Sequence, residues 1–151
     1  MSEHLKHQGR CFCGDVTFTL SGNPELMAYC HCESCRQWSA GPVSAFSLWK
    51  PATLEITSGL DNIAGYDKNP LSGDATVVSN RVWCKTCGGH LYTDHPTMGL
   101  IDVPAVIIKD LEFKPAFHVH YQETVHRIKD GLAKFKDLPA EAGGSGAEVS
   151  E

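Results

Sequence analysis

Nowhere in this chain do as many as roughly eighteen apolar residues run together, so no segment has the length and hydrophobicity of a membrane-spanning helix. Runs of lysine or arginine are missing too: 13 basic residues against 18 acidic ones leave a formal net charge of −5. Affinity for nucleic acid comes largely from neutralising phosphates, and a polybasic membrane anchor needs clustered cations, so the sequence argues against both partner classes. The opening residues, MSEHLKHQGR, contain no apolar core of a secretory signal, and the expected location is therefore the cytoplasm. Sustained helical periodicity is scarce, and no repeat of solenoid size occurs. Against these absences stand seven cysteines. Disulfides are rare in a reducing compartment and an odd number cannot pair completely, so metal binding is the leading reading.

The rest of the chain is a succession of short alternating stretches. In Val16-Thr-Phe-Thr-Leu20 the apolar residues share one face and the threonines the other, as in a half-buried strand. Pro42 to Trp49 is a second apolar run, and Ala52-Thr-Leu-Glu-Ile-Thr57 repeats the alternation with Leu54 and Ile56 inside. Further strand candidates are Thr76 to Trp83, His90 to Thr93, Gly99 to Val103 and Phe117 to Tyr121. Turn formers separate them at 21–24, 67–70 and 87–89, which predicts a mostly β domain with little helix. A turn or two of helix is expected after Cys32, stopped by Gly41-Pro42; Val125, Ile128 and Leu132 also have helical spacing, although Gly131 interrupts it. The expected organisation is a flexible N-terminus over 1–8, one zinc-binding domain over 9–138 and a mobile acidic tail over 139–151, where little apolar surface is left to bury.

The cysteines fall into three clusters: Cys11-Phe-Cys13, Cys30-His-Cys-Glu-Ser-Cys35 and Cys84-Lys-Thr-Cys87. Residues i and i+2 of a strand share a face, so Cys11 and Cys13 present two sulfurs together. Gly88 and Gly89 permit the tight turn that brings Cys84 and Cys87 onto one ion. Each pair supplies half of a closed tetrahedral four-cysteine zinc site. Cys30, Cys32 and Cys35 then make three soft donors with a fourth position left for water or substrate, the pattern of a catalytic rather than a structural site. The competing readings are closure of that site by His31, or by a distant His90, His118 or His120, and a metal-free redox cluster. Alternation places His31 on the face opposite Cys30 and Cys32.

With these spacings laid out, the chain resembles the glutathione-dependent formaldehyde-activating enzyme family, which includes centromere protein V-like domains. The matching stretches are Gly9-Arg-Cys-Phe-Cys-Gly-Asp-Val-Thr-Phe18, Cys30-His-Cys-Glu-Ser-Cys-Arg36, Gly41-Pro42, Arg81-Val-Trp-Cys-Lys-Thr-Cys-Gly-Gly-His-Leu91 and Pro115-Ala-Phe-His-Val119. The resemblance implies a β-tent fold of short antiparallel strands around a structural zinc on Cys11, Cys13, Cys84 and Cys87. It assigns Cys30, Cys32 and Cys35 to a second, catalytic and labile zinc. It also implies carbon–sulfur lyase activity of the S-(hydroxymethyl)glutathione synthase kind, joining a small-molecule thiol, glutathione, to formaldehyde or another small aldehyde. Arg36 is then a candidate partner for a glutathione carboxylate, and His118 or His120, on one face of a predicted strand, a candidate acid/base. The alternative function is a zinc-stabilised protein-binding module without catalysis. The chain departs from the family where Gly99-Leu-Ile-Asp-Val-Pro104 stands for an Asp-Asp-Pro motif and Asp130-Gly-Leu-Ala133 for Asp-Gly-Leu-Pro, positions that bear on substrate rather than on metal.

Overall fold

A computed structural model of the chain describes residues 5–68 and 79–151. Its elements are mostly strands, with one α-helix and several single 3-10 turns. Contacts divide the chain into two compact units, residues 1–25 with 47–112 and residues 26–46 with 113–151. No helix among the described residues is long and apolar enough to cross a membrane.

The first unit holds the main apolar core. Strands β1 (Lys6–Arg10), β2 (Thr17–Ser21) and β5 (Leu54–Ser58) form a three-stranded antiparallel sheet in the order β1-β2-β5. The alternation read from Val16 to Leu20 is realised: Val16, Phe18 and Leu20 are buried, and Leu54 and Ile56 pack against them. Gly9 pairs with Phe18 across β1 and β2, and a Cβ at Gly9 would fall 2.2 Å from the Phe18 ring. The aromatic side chain therefore lies directly over a residue that must have none. Four further strands, β6 (Ile63–Asp67), β7 (Asn80–Cys84), β8 (His90–His95) and β9 (Leu100–Pro104), run antiparallel in sequence order. Val82, Leu91, Ile101 and Val103 from these strands join Trp49 in the same core. The Trp49 indole N–H donates to Ser47 Oγ at 2.8 Å, and that hydroxyl donates to the Val103 carbonyl at 2.8 Å, so the buried polar atoms are satisfied.

In the second unit, β3 (Leu26–Cys30) pairs in parallel with β10 (Phe117–Val119), and β10 pairs in parallel with β11 (Ala133–Lys134). The antiparallel expectation thus holds in the first unit, while the second adds parallel pairs. Helix α1 (Glu33–Ser39) occupies the span expected after Cys32 and ends at Ala40 in a left-handed conformation before Gly41. Strand β4 (Ser44–Trp49) crosses from one unit to the other.

Four expectations are corrected. β1 begins at Lys6 and buries His7, so ordered chain starts before residue 9. Residues 139–151 are tied down, not free: Lys136 N–H donates to the Ala147 carbonyl and Val149 N–H to the Lys134 carbonyl, each at 2.8 Å. The Asp137 carboxylate gathers the N–H groups of Leu138 and Ser145 and the Ser145 hydroxyl, polar anchors that an apolar count overlooks. No helix forms over 125–132. There the Ile128 N–H is taken by the Tyr121 hydroxyl at 2.9 Å and Gly131 adopts a φ of 78°. Finally, β10 stops at Val119 and His120 turns left-handed at φ 53°, so His118 and His120 do not share a strand face. The strand read from Thr76 begins outside the described residues, and its described part is β7.

Candidate metal centres

Cys11 leaves β1 and enters a turn closed by Gly14 at φ 85°, whose N–H donates to the Cys11 carbonyl at 3.2 Å. Cys84 ends β7, and a second turn brings Gly88, at φ 73°, back to donate to the Cys84 carbonyl at 2.8 Å. Gly89 is what lets the two turns meet. A Cβ there would lie 2.9 Å from the Phe12 nitrogen and 3.1 Å from Cys87 Sγ.

The four sulfurs of Cys11, Cys13, Cys84 and Cys87 all lie within 4.8 Å of one another. Cys11 to Cys13 is 3.7 Å and Cys13 to Cys84 is 3.8 Å. A tetrahedron with zinc–sulfur bonds of 2.3 Å has edges of about 3.8 Å, so the spacing suits such an ion without rearrangement. Each sulfur also receives at least one N–H: Val16 to Cys11 at 3.3 Å, Asp15 to Cys13 at 3.5 Å, Gly89 to Cys87 at 3.3 Å and the Asn62 amide to Cys84 at 3.5 Å. Such donors favour the thiolate form. Hydrogen bonding from the Cys13 backbone, and then from Gly89, pulls Cys87 down to about 6. The Asp15 N–H draws the Cys13 thiol down, but partial loss of solvation and hydrogen bonds with Cys11, Cys87 and Cys84 together push it up to about 12.

The second cluster is built at the junction of β3 and α1. Cys30 ends β3 and is buried, while Cys32 is the N-cap of α1 with φ −63° and ψ 148°. Cys35 falls three residues on, and its N–H donates to Cys32 Sγ at 3.2 Å. The pair thus occupies the positions that a serine and a glutamate take in a capping box. One turn of helix is what folds Cys35 back, as the spacing suggested. The three sulfurs lie within 4.8 Å of one another, and among the described residues no imidazole nitrogen or carboxylate oxygen joins them. Hydrogen bonds from Cys30, and then Cys35, pull Cys32 down to about 2, while Cys30's own bonds with Cys32 and Cys35, and then burial, push Cys30 well up.

The histidines weighed as closing ligands are accounted for differently. His31 has both ring nitrogens engaged, Nδ1 at 2.8 Å from the Thr124 hydroxyl and Nε2 at 2.8 Å from His118 Nδ1. His118 is fully buried and its Nε2 lies 2.7 Å from the Asp130 carboxylate, which removes it as an acid/base for an external substrate. His120 keeps a side chain 29% exposed, with Nδ1 3.5 Å from Glu123 Oε2. The other Glu123 oxygen accepts the Glu33 N–H at 3.1 Å, which ties His120 to the residue after Cys32. Arg36 donates from Nε to the His31 carbonyl at 3.1 Å and so braces the cluster's own loop. His90 lies on β8 in the first unit and joins neither sulfur group. Thr124 and Lys134, which with Asp130 complete the network behind His31, were not singled out by the sequence. Asp130 stood out there only within Asp130-Gly-Leu-Ala133, as a departure from a family motif, and a buried lysine has no local signature.

The profile of the family described as glutathione-dependent formaldehyde-activating enzyme matches residues 6–123, from β1 to just past β10. An uncharacterized lyase of Schizosaccharomyces pombe is 30% identical over 88 residues, covering 58% of this chain and 56% of that protein, so the chain spans little more than half its length. A Rhodobacter sphaeroides protein of known crystal structure superposes with a TM-score of 0.49 at 20% identity, covering 70% of this chain and 90% of that one. The profile match spans most of the chain and takes in all seven cysteines. On that ground the chain belongs to the glutathione-dependent formaldehyde-activating enzyme family.

Proposed function

We propose that this protein is a carbon–sulfur lyase that interconverts a thiol–aldehyde adduct with its free components, a thiol such as glutathione and formaldehyde or another small aldehyde. One observation carries the reading: the cysteines separate into a set of four and a set of three that no other ligand-bearing side chain joins among the described residues. Cys11, Cys13, Cys84 and Cys87 would hold a structural zinc, and Cys30, Cys32 and Cys35 a second, exchangeable one. A zinc ion held by these three thiolates would supply Lewis acidity, lowering the pKa of a thiol or polarising a carbonyl.

In the joining direction the thiol sulfur bonds to the aldehyde carbon, the carbonyl π bond opens, and the thiol proton ends on the new hydroxyl. No oxidant or reductant takes part. The chain's own residues must then place the reactants and carry one proton. Arg36 flanks the cluster, and the N–H groups beyond its Nε suit a carboxylate of the thiol substrate. His120, partly exposed and held by Glu123, takes the proton-carrying role in preference to the buried His118.

The test is exchange between free and adduct formaldehyde in the presence of glutathione, followed by NMR line shape or magnetisation transfer. The wild-type protein should accelerate exchange, and Cys32→Ser should abolish the acceleration while remaining folded. No acceleration with glutathione or any other small thiol, by a protein carrying two zinc ions, would leave the binding-module reading. That reading has one observation of its own, Phe12, which stands 86% exposed between Cys11 and Cys13.

A further inference from the structure

His31 sits between two of the clustered cysteines and is held at four points. Its N–H donates to the Val119 carbonyl at 3.1 Å, and its carbonyl accepts from Arg36 Nε at 3.1 Å. Its ring lies 2.8 Å from Thr124 Oγ1 on one side and 2.8 Å from His118 Nδ1 on the other. The chain of contacts continues from His118 Nε2 to Asp130 Oδ2 at 2.7 Å, and from Asp130 Oδ1 to the ammonium of Lys134. Lys134 also donates to the Leu132 carbonyl at 2.8 Å. His31 and His118 are wholly buried and Lys134 nearly so.

Burial alone would raise the Asp130 carboxyl, but hydrogen bonds from Lys134 and then His118 outweigh it and hold the group well below the usual carboxylate range. An ionised carboxylate only accepts, so His118 donates to it from Nε2. The Thr124 hydroxyl donates to the His126 carbonyl at 2.9 Å and lies 2.8 Å from His31 Nδ1.

Buried polar chains of this kind are costly to desolvate, and apolar side chains of equal volume would commonly be as stable. What the chain provides is a single allowed orientation of the residue between Cys30 and Cys32. We infer that Asp130, acting through His118 and His31, is a positioning residue for the three-cysteine centre, fixing the Cys30–Cys32 turn so that the trio meets a metal ion without adjustment. The inference rests on the metal reading of that trio. Supporting groups around a metal site commonly change its affinity by about 10–100-fold when removed.

Cobalt(II) titration of the full chain, read by thiolate charge-transfer and d–d absorption, tests this. Wild type should take up two ions with distinct spectra. His118→Phe keeps a ring beside Tyr29 and leaves the Asp130–Lys134 pair intact, yet should weaken the second ion about 10–100-fold and shift its d–d bands, with the first ion unchanged. Should that variant not fold, Asp130→Asn, which conserves volume, reads the same quantity. A variant that melts at lower temperature but binds the second ion with unaltered affinity and spectrum overturns the inference and leaves the lyase reading standing. A wild-type chain that takes up one cobalt ion overturns both.

Discussion

Cys32 and Cys84 each lie among other thiols, yet removing them should have different consequences. Cys84 is buried in the main core and receives the Asn62 amide, so Cys84→Ser disturbs both the core and the four-sulfur cluster. Structural zinc contributes folding free energy directly, and the variant should lose most of its stability. Cys32→Ser should stay within about 1 kcal/mol of wild type in a thermal melt while losing one metal ion by elemental analysis. Gly89→Ala inserts a methyl 2.9 Å from the Phe12 backbone and should cost about 1–3 kcal/mol together with affinity for the first ion. A pH effect follows from His31, whose pKa burial and the neighbouring His118 lower from 6.5 to about 4. Between those values the unfolded chain binds the proton and the native one does not, so wild-type stability falls as pH drops through that window. The stability gap between wild type and His31→Gln, measured in urea at pH 7 and at pH 4.5, should therefore narrow at the lower pH. At this scale the sequence was informative about which cysteines act together and silent about what holds His31. Its partners lie 87 and 93 residues away, beyond any local pattern.

Among the elements, those with a repeating apolar signature were legible. β2, β5, β8 and β9 follow the two-residue alternation, and α1 lies between a cysteine cap and a glycine–proline stop. β1, β3 and β6 were missed because their sequences, KHQGR, LMAYC and IAGYD, do not alternate cleanly. They are strands through their partners: Gly9 under Phe18, Tyr29 beside His118, Ile63 opposite Cys84. The helical spacing at Val125, Ile128 and Leu132 failed because the Tyr121 hydroxyl claims a backbone donor there. Within β2, Leu20 is fully buried, and Leu20→Ala should cost about 2–5 kcal/mol, with a lower urea midpoint and an unchanged slope.

The whole molecule is two compact units, each carrying one sulfur cluster. The mostly β architecture and the sorting of seven cysteines into four and three could both be read before any coordinates, because metal ligands impose strict spacing on the chain. The ordered C-terminal residues could not, since the Asp137 and Glu151 carboxylates anchor them through individual hydrogen bonds rather than through a periodic face. Zinc K-edge absorption of the fully loaded protein, before and after adding glutathione, bears most directly on the idea that the trio accepts a thiol from outside. Four sulfurs on one ion and three on the other average about 3.5 per zinc, and the account predicts a rise to about 4 when the thiol is added. An average already near 4 before addition, or one that does not move on addition, would contradict it.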